Sequence, residues 1–172
     1  MSPEIVSLGH VGIYVHDVQE SLAFYRDLLG FTVTDADEPN QMYFLSTRPD
    51  YEHHQFLIAS GRTVEKGARL VQQISFRCGS LEDVQAIYER MKRAKTPIDR
   101  IVSHGNAIGI YFYDPDRNRC EVYWPTGLQA RQAFLIPVDL DKPADALKAE
   151  VRAHVDKYGE CGFVDTSVAR KN

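Results

Sequence analysis

A diverged internal repeat constrains the fold of this chain more than any other feature of its sequence. Residues 8–15 alternate apolar and polar positions like a strand and give way at Asp17 to a helical pattern. The same succession begins again 63 residues later, with a strand-like segment at residues 71–77 and a helical one after it. The helical positions that align are Val18 with Leu81 and Tyr25 with Tyr88.

Three short apolar stretches follow each helical segment, separated by residues typical of turns. They lie at residues 31–33, 41–45 and 54–59 in the first half, and at residues 98–102, 108–113 and 120–124 in the second. The pattern predicts an α+β fold of two βαβββ modules, the first at residues 5–60 and the second at residues 70–126. Each module leaves one sheet face bare, so we expect the pair to form a shared cleft, a common place for small-molecule sites.

The pattern changes after the second module. Residues 1–126 are expected to form the paired domain, and residues 127–172 an appended C-terminal arm and helix. Residues 144–158 have helical periodicity, with one side formed by Ala146, Leu147, Val151 and Val155. The appended segment can cover the cleft, pack on the sheet exterior or join subunits, and the sequence does not choose among these placements.

Composition excludes several classes of partner. A net charge of −4 and a pI near 5.8 provide no basic field for phosphate backbones or anionic lipid, so no nucleic-acid or membrane partner is expected. No apolar run approaches the roughly 20 residues that span a bilayer, and residues 1–4 lack the pattern of a signal peptide. We therefore expect a cytoplasmic protein whose three cysteines are reduced thiols rather than a disulfide or zinc framework.

Three stretches carry a family resemblance. They are LGHV at residues 8–11 followed by FYRDLLGF at residues 24–31, HHQFLIA at residues 53–59, and IYFYDPDRNRCE at residues 110–121. Together they resemble the vicinal-oxygen-chelate superfamily of glyoxalases, bleomycin-resistance proteins and type I extradiol dioxygenases, and are most similar to single-domain extradiol dioxygenases. The resemblance implies the paired βαβββ fold, but its markers are shared by members with different reactions.

The resemblance also implies a metal site. In the dioxygenases, two strand histidines and a glutamate hold ferrous iron and leave positions open for a catecholate and O₂. By that pattern the ligands here are His10, Gln73 and Glu121, with Gln73 standing where the second histidine is usual. Fe(II) is the expected metal; because an amide oxygen donates less to iron than imidazole does, zinc, nickel and manganese stay open.

The pair His53 and His54 is expected to divide between two faces, because consecutive strand residues point in opposite directions. Alignment on the turns Pro49-Asp50 and Pro115-Asp116 places Gln55 opposite Glu121, whereas the dioxygenase resemblance places His54 at the metal. We favour His54, as an acid/base group that titrates near neutral pH.

Further residues are assigned by the resemblance alone. His104 and Tyr111 resemble a histidine and a tyrosine that bond the substrate hydroxyls and assist proton transfer. Arg117 replaces the glycine usual in its turn, which predicts a modified turn without a left-handed residue.

The leading functional hypothesis is an extradiol-dioxygenase-like metalloenzyme that transforms a catechol-like aromatic substrate with O₂, as a homodimer. Two alternatives remain: a glyoxalase-like isomerase or lyase with a non-iron divalent metal, and a metal-free small-molecule binding protein. Metal content distinguishes the three.

Overall fold

The computed structural model describes residues 7–167. Residues 1–6, which include the N-terminal segment considered above and the start of the first predicted module, lie outside the described residues, as do residues 168–172 of the C-terminal segment. The chain divides into two compact units. Unit one runs to Ala68 and includes Asp114–Arg117; unit two holds Arg69–Tyr113 and the chain from Asn118 onward.

Unit one contains one sheet and one helical segment. Its strands are β1 (Val11–Val15), β2 (Thr32–Asp37), β3 (Met42–Ser46) and β4 (Phe56–Ser60), and its helix α1 (Val18–Leu22) continues directly as a π-helical segment, Ala23–Leu28. The sheet order is β1-β4-β3-β2, with β1 parallel to β4. Buried Tyr25 from the helical segment packs against Phe31 and Phe56, which joins helix and sheet in an aromatic core.

Local sequence explains where this helix begins and how it ends. The Asp17 side chain accepts hydrogen bonds from the main-chain nitrogens of Gln19 and Glu20, so it caps the first turn. In the π-helical segment, Leu29 N donates to Phe24 O at 3.2 Å. Gly30 follows with φ 89°, a left-handed conformation that ends the helix at little cost for glycine.

Unit two contains the second sheet and two longer helices. Its elements are β5 (Ile74–Arg77), α2 (Leu81–Ala94), β6 (Ile98–Ser103), β7 (Ala107–Tyr113), β8 (Arg119–Pro125), β9 (Phe134–Pro137), α3 (Ala144–Tyr158) and β10 (Phe163–Val164). The sheet order is β10-β9-β6-β7-β8-β5, with β5 parallel to β8. A capping box between Ser80 and Asp83 starts α2. Within residues 7–167, no helix is long and apolar enough to cross a membrane.

The two predicted βαβββ modules are confirmed. The first strands begin at Val11 and Ile74 and the helices at Val18 and Leu81, so both pairs keep the spacing of 63 residues found in the sequence. Both first strands begin three residues later than their apolar patterns indicated. The shared cleft stays a prediction.

The C-terminal segment adds to the second sheet. The arm forms β9, which pairs antiparallel with β6 through Val102 with Pro137 and Ser103 with Ile136. The extension of the sheet is a feature that the sequence did not indicate. Helix α3 has its predicted bounds, and Leu147 is buried, but Ala146 is exposed, because it lies a quarter-turn from the buried stripe.

The turn at Asp114–Arg117 corrects one expectation. Arg117 does adopt a left-handed conformation, with φ 64°, and its main-chain nitrogen donates to Asp114 O at 2.9 Å. The tight turn imposes this conformation at a cost of about 1–2 kcal/mol for a residue other than glycine. Two hydrogen bonds within unit one stabilise the turn: Tyr25 Oη donates to Asp114 Oδ2 at 2.8 Å, and His16 N donates to Asp116 Oδ2 at 2.9 Å.

Candidate functional site

A row of three polar side chains crosses the sheet of unit two. Strand pairing places Glu121 on β8 beside Ser75 on β5 and beside Tyr111 on β7. Paired residues of neighbouring strands face the same side of a sheet, so the three side chains lie together. Glu121 and Tyr111 are 5% and 6% exposed, so two of these polar groups are buried, while Ser75 is exposed on the edge strand.

Glu121 is held from two sides. Its Oε2 accepts hydrogen bonds from Ser75 Oγ at 2.6 Å and from Gln73 Nε2 at 3.2 Å. Its Oε1 lies over Gly109, where a Cβ would come within 2.7 Å of the oxygen, so a larger residue there would displace the carboxylate. A carboxylate taken out of water needs donors or a cation to offset its desolvation, and the cluster supplies donors.

Gln73 stands one residue before β5 and bridges Glu121 to an ion pair. Its amide oxygen accepts a hydrogen bond from Arg119 Nη1 at 3.3 Å, while its amide nitrogen donates to Ser75 Oγ and to Glu121. Arg119 is paired with Asp99 at 3.0 Å. Gln73 thus turns its nitrogen towards the carboxylate, whereas metals bind the amide oxygen.

Tyr111 and His104, both assigned from the family resemblance, are in direct contact. His104 Nε2 lies 2.9 Å from Tyr111 Oη, and His104 Nδ1 lies 2.9 Å from Phe134 O. Burial, and then the neighbouring Glu121 carboxylate, raise the pKa of Tyr111 above its usual range, while Arg119 opposes the shift. The hydroxyl of Tyr111 lies within hydrogen-bonding distance of His104, and the Glu121 carboxylate lies close enough to raise the Tyr111 pKa. The arrangement is a chain along which a proton can move.

In unit one, His10 and His54 are neighbours. Their ring centroids lie 4.4 Å apart, and Phe44 packs edge-on against His54 at 5.1 Å. Partial burial, followed by the charges of His10 and His53, lowers the pKa of His54, so its imidazole is neutral at pH 7. A neutral imidazole has a lone pair with which to accept a proton.

The expected division of His53 from His54 is wrong. Strand β4 begins at Phe56, so both histidines precede it and strand alternation does not apply. Their Nδ1 atoms lie 2.9 Å apart and both rings contact Phe44. Gln55, the competing candidate, accepts hydrogen bonds from Thr47 N and Oγ1 at 3.1 and 2.7 Å. The role of His54 stays a prediction.

Strand register also corrects the alignment of the two modules. β1 pairs with β4 through Gly12 and Leu57, in the same way that β5 pairs with β8 through Ser75 and Glu121. The counterpart of Glu121 is therefore Leu57, two residues beyond the Gln55 that the turns indicated. The reason is that β4 begins later after its turn than β8 does.

Each predicted site residue thus belongs to a cluster within its own unit: His10 and His54 in unit one, and Gln73, Glu121, Tyr111 and His104 in unit two. Within residues 7–167, no group of three or more His, Cys, Asp or Glu side chains could hold a metal ion. Sequence reasoning missed Ser75 and Arg119. A two-residue period was the available signal, since Ser75 follows Gln73, and Arg119 precedes Glu121, by two positions.

Comparison with known proteins identifies one superfamily that matches this chain. The family model of the glyoxalase/bleomycin resistance protein/dioxygenase superfamily matches residues 7–122. A manganese-dependent 2,3-dihydroxybiphenyl 1,2-dioxygenase of Geobacillus genomosp. 3 is 27% identical over 72% of this chain and 38% of its own length. The chain spans about two fifths of the length of the curated relatives it matches.

Solved structures show the same fold at low identity. The genomically encoded fosfomycin resistance protein FosX of Listeria monocytogenes matches with a TM-score of 0.57 and 22% identity, over 70% of this chain and 92% of its own. A lactoylglutathione lyase of Agrobacterium tumefaciens matches with a TM-score of 0.55 and 16% identity, over 71% of this chain and 96% of its own. At these identities the likeness concerns the fold alone.

Proposed function

This chain belongs to the glyoxalase/bleomycin resistance protein/dioxygenase superfamily, and on that basis we propose that it is an extradiol-dioxygenase-like metalloenzyme acting with O₂ on a catechol-like aromatic compound. The observation that carries the proposal is the cluster of Glu121, Tyr111 and His104 in unit two, where Glu121 and Tyr111 are buried and Tyr111 Oη lies 2.9 Å from His104 Nε2. It joins a carboxylate, an ionisable hydroxyl and an imidazole, the groups needed to receive a phenolic proton.

The choice among reactions of the superfamily rests on two further points. The chain shares 24 to 27% identity with curated relatives named as dioxygenases of dihydroxylated aromatic compounds. The fosfomycin resistance and lyase structures, by contrast, support only the common fold. A ring with two adjacent hydroxyl groups is also the substrate class that a proton-accepting chain beside a carboxylate suits best.

The donor set fits a divalent metal in part. Within unit two, the carboxylate of Glu121 is an ordinary ligand, and Gln73 would have to turn its amide oxygen away from Arg119 to bind the same ion. Such a metal would act as a Lewis acid and hold two adjacent substrate oxygens. We propose Fe(II), with manganese as the alternative because oxygen ligands suit it and because one relative is named as manganese-dependent.

The chain's own residues would manage the protons. Tyr111 would bond a substrate hydroxyl and pass its own proton towards His104, whose ring is held by the carbonyl of Phe134. Ser75 would keep the carboxylate of Glu121 in place through its hydrogen bond to Oε2. His54, neutral at pH 7 because its pKa is lowered, would serve as a second proton acceptor.

Elemental analysis after anaerobic purification tests the proposal, together with O₂ uptake and yellow product formation on a panel of catechols. We expect a stoichiometric divalent metal and oxygen uptake with at least one catechol. Tyr111→Phe should keep the metal and lower turnover about 100-fold, the size of a lost acid/base group, whereas the matched Tyr88→Phe in the same unit should behave like the parent.

Other outcomes would replace the proposal. Zinc or nickel without oxygen uptake would favour a glyoxalase-like isomerase or lyase, which uses a metal but no O₂. Protein that binds catechols yet holds no metal after reconstitution would favour a binding protein. Full activity of Tyr111→Phe would show that the Tyr111 hydroxyl takes no part in turnover, which contradicts the proposal.

A further inference from the structure

The C-terminal arm contacts His104 through both its main chain and its ring. Gln132 Nε2 donates to His104 O at 3.0 Å, and Phe134 N donates to Gln132 Oε1 at 3.4 Å. The Gln132 amide therefore ties the main chain of His104 to that of Phe134, and Phe134 O faces the His104 ring. These arm residues lie beyond the region that the family model matches, which ends at residue 122.

The carbonyl of Phe134 determines where the ring proton sits. A carbonyl oxygen only accepts, so the contact of 2.9 Å requires the proton of neutral His104 on Nδ1. Nε2 then carries the lone pair and can accept the hydroxyl proton of Tyr111. In the other tautomer, a lone pair on Nδ1 would oppose the carbonyl oxygen, and Nε2 would carry a proton and could not accept one from Tyr111.

The arm is anchored firmly enough to impose this choice. Phe134 is fully buried and β9 is hydrogen-bonded to β6. Asp165 N donates to Leu135 O at 2.8 Å from the other side. Next to His104, Gly105 has φ 74°, and a Cβ there would lie 2.5 Å from Ala130 Cβ, so the arm lies directly against this turn.

We propose that the C-terminal arm fixes His104 as the Nδ1–H tautomer and that Gln132 is the positioning residue that holds the two main chains together. The proposal deepens the proposed function, because it explains how His104 Nε2 is kept ready to receive the Tyr111 proton. It makes the arm part of the proton chain, in a segment outside the family region.

Nitrogen-15 NMR of histidine-labelled protein reads the tautomer directly. Two-bond proton–nitrogen correlations at about pH 8, where an unperturbed imidazole is neutral, distinguish Nδ1–H from Nε2–H, and His104→Gln assigns the signal. We expect Nδ1–H alone in the parent and in Tyr111→Phe. Gln132→Ala should lose this single-tautomer pattern, whereas Gln129→Ala, which alters an exposed side chain in the same arm, should keep it.

Each contrary result would exclude a different part of the proposal. An Nε2–H signal in the parent would overturn the proposal, and a switch of tautomer in Tyr111→Phe would show that the tyrosine sets the proton instead. An unchanged pattern in Gln132→Ala would remove Gln132 from its role. Should that variant fail to fold, Gln132→Glu retains an acceptor for Phe134 N and removes the donor to His104 O, at the cost of an added charge. Because the spectrum needs no substrate, these results are separate from any failure to cleave catechols.

Discussion

The two modules share a strand register but carry different side chains at the equivalent positions. In module one, the row that crosses the sheet is Gly12, Leu57 and Phe44; in module two the equivalent row is Ser75, Glu121 and Tyr111. The first row is apolar, whereas the second is polar and hydrogen-bonded, with Glu121 and Tyr111 buried. A duplicated fold can therefore keep its backbone while only one copy carries a carboxylate at this position in its sheet.

Burial of a carboxylate alone does not identify the chemistry. Asp114 and Asp116, which belong to unit one, are as buried as Glu121, but their partners Tyr25 and His16 hold a turn. Glu121 differs because Tyr111, the ionisable group beside it, is itself bonded to the imidazole of His104. The neighbours of a buried charge distinguish a structural role from a chemical one.

The largest difference is expected when the central residues of the two rows are changed. Glu121→Gln removes the charge but preserves the shape, so metal affinity should fall at least about 100-fold, more than the loss of an outer-shell partner causes, and turnover should fall with it. Leu57→Ala should instead cost about 1–3 kcal/mol of stability through lost apolar burial.

Elemental analysis after dialysis and urea unfolding measure these two effects. Leu57→Ala is the matched control because it occupies the same register position in the other module. If Glu121→Gln kept its metal, the polar row would not be a ligand site and the contrast between modules would be structural only.

Substitutions of His54 and Gln55, which directly precede β4, test whether module one takes part in catalysis. His54→Gln should lower turnover about 100-fold through loss of an acid/base group while leaving metal content unchanged. Gln55→Ala removes the bonds to Thr47 and should affect stability by about 1 kcal/mol with near-parental turnover. Steady-state oxygen uptake decides; a larger loss of turnover in Gln55→Ala would reverse the assignment.

The aligned helix tyrosines allow a comparison of stability. Tyr25 is fully buried and bonded to Asp114, whereas Tyr88 is half-exposed with Lys92 over its ring at 4.4 Å. Tyr25→Phe takes a donor from a buried carboxylate and should cost about 1–3 kcal/mol. Tyr88→Phe should stay within about 0.5 kcal/mol of the parent. Equal urea midpoints for the two variants would contradict this contrast.

Alkaline unfolding distinguishes Tyr111 from its counterpart Phe44. The pKa of Tyr111 is raised in the folded state, so folding favours the protonated hydroxyl. Stability from this group is complete below its unfolded pKa of about 10 and falls as pH rises further, because the unfolded chain then binds fewer protons. Tyr111→Phe should lose stability less steeply above that pH. Superimposable pH curves for parent and variant would exclude this contribution.

Periodicity predicted the parts of the fold that depend on local sequence. The order of strands and helices within the two modules, the 63-residue offset and the bounds of α3 all follow from which positions are apolar. What escaped prediction depends on pairing between distant segments. Ser75 reaches Glu121 only because β5 lies beside β8, and His104 meets Phe134 only because β9 joins β6.

The register of β4 and the conformation of Arg117 were not predicted for a related reason. The counterpart of Glu121 could not be located, because the sequence does not show how many residues separate a turn from the strand after it. Arg117 was misjudged because closure of its turn outweighs the preference of the residue. In both cases tertiary structure outweighs a rule that depends on local sequence alone.

The smallest expected effect concerns how the two helices end. Gly30 follows the first helical segment with φ 89°, whereas exposed Lys95 ends α2 with φ 54°. Lys95→Gly should relieve about 1 kcal/mol of left-handed strain and lose about half of it to the greater freedom of glycine in the unfolded chain. The net gain should be about 0.5 kcal/mol, while Gly30→Ala should cost about 1–2 kcal/mol. A higher urea midpoint with an unchanged slope would confirm the gain. If Lys95→Gly instead lowered the midpoint, the Lys95 side chain would contribute to the end of α2, and the modules would end their helices by different means.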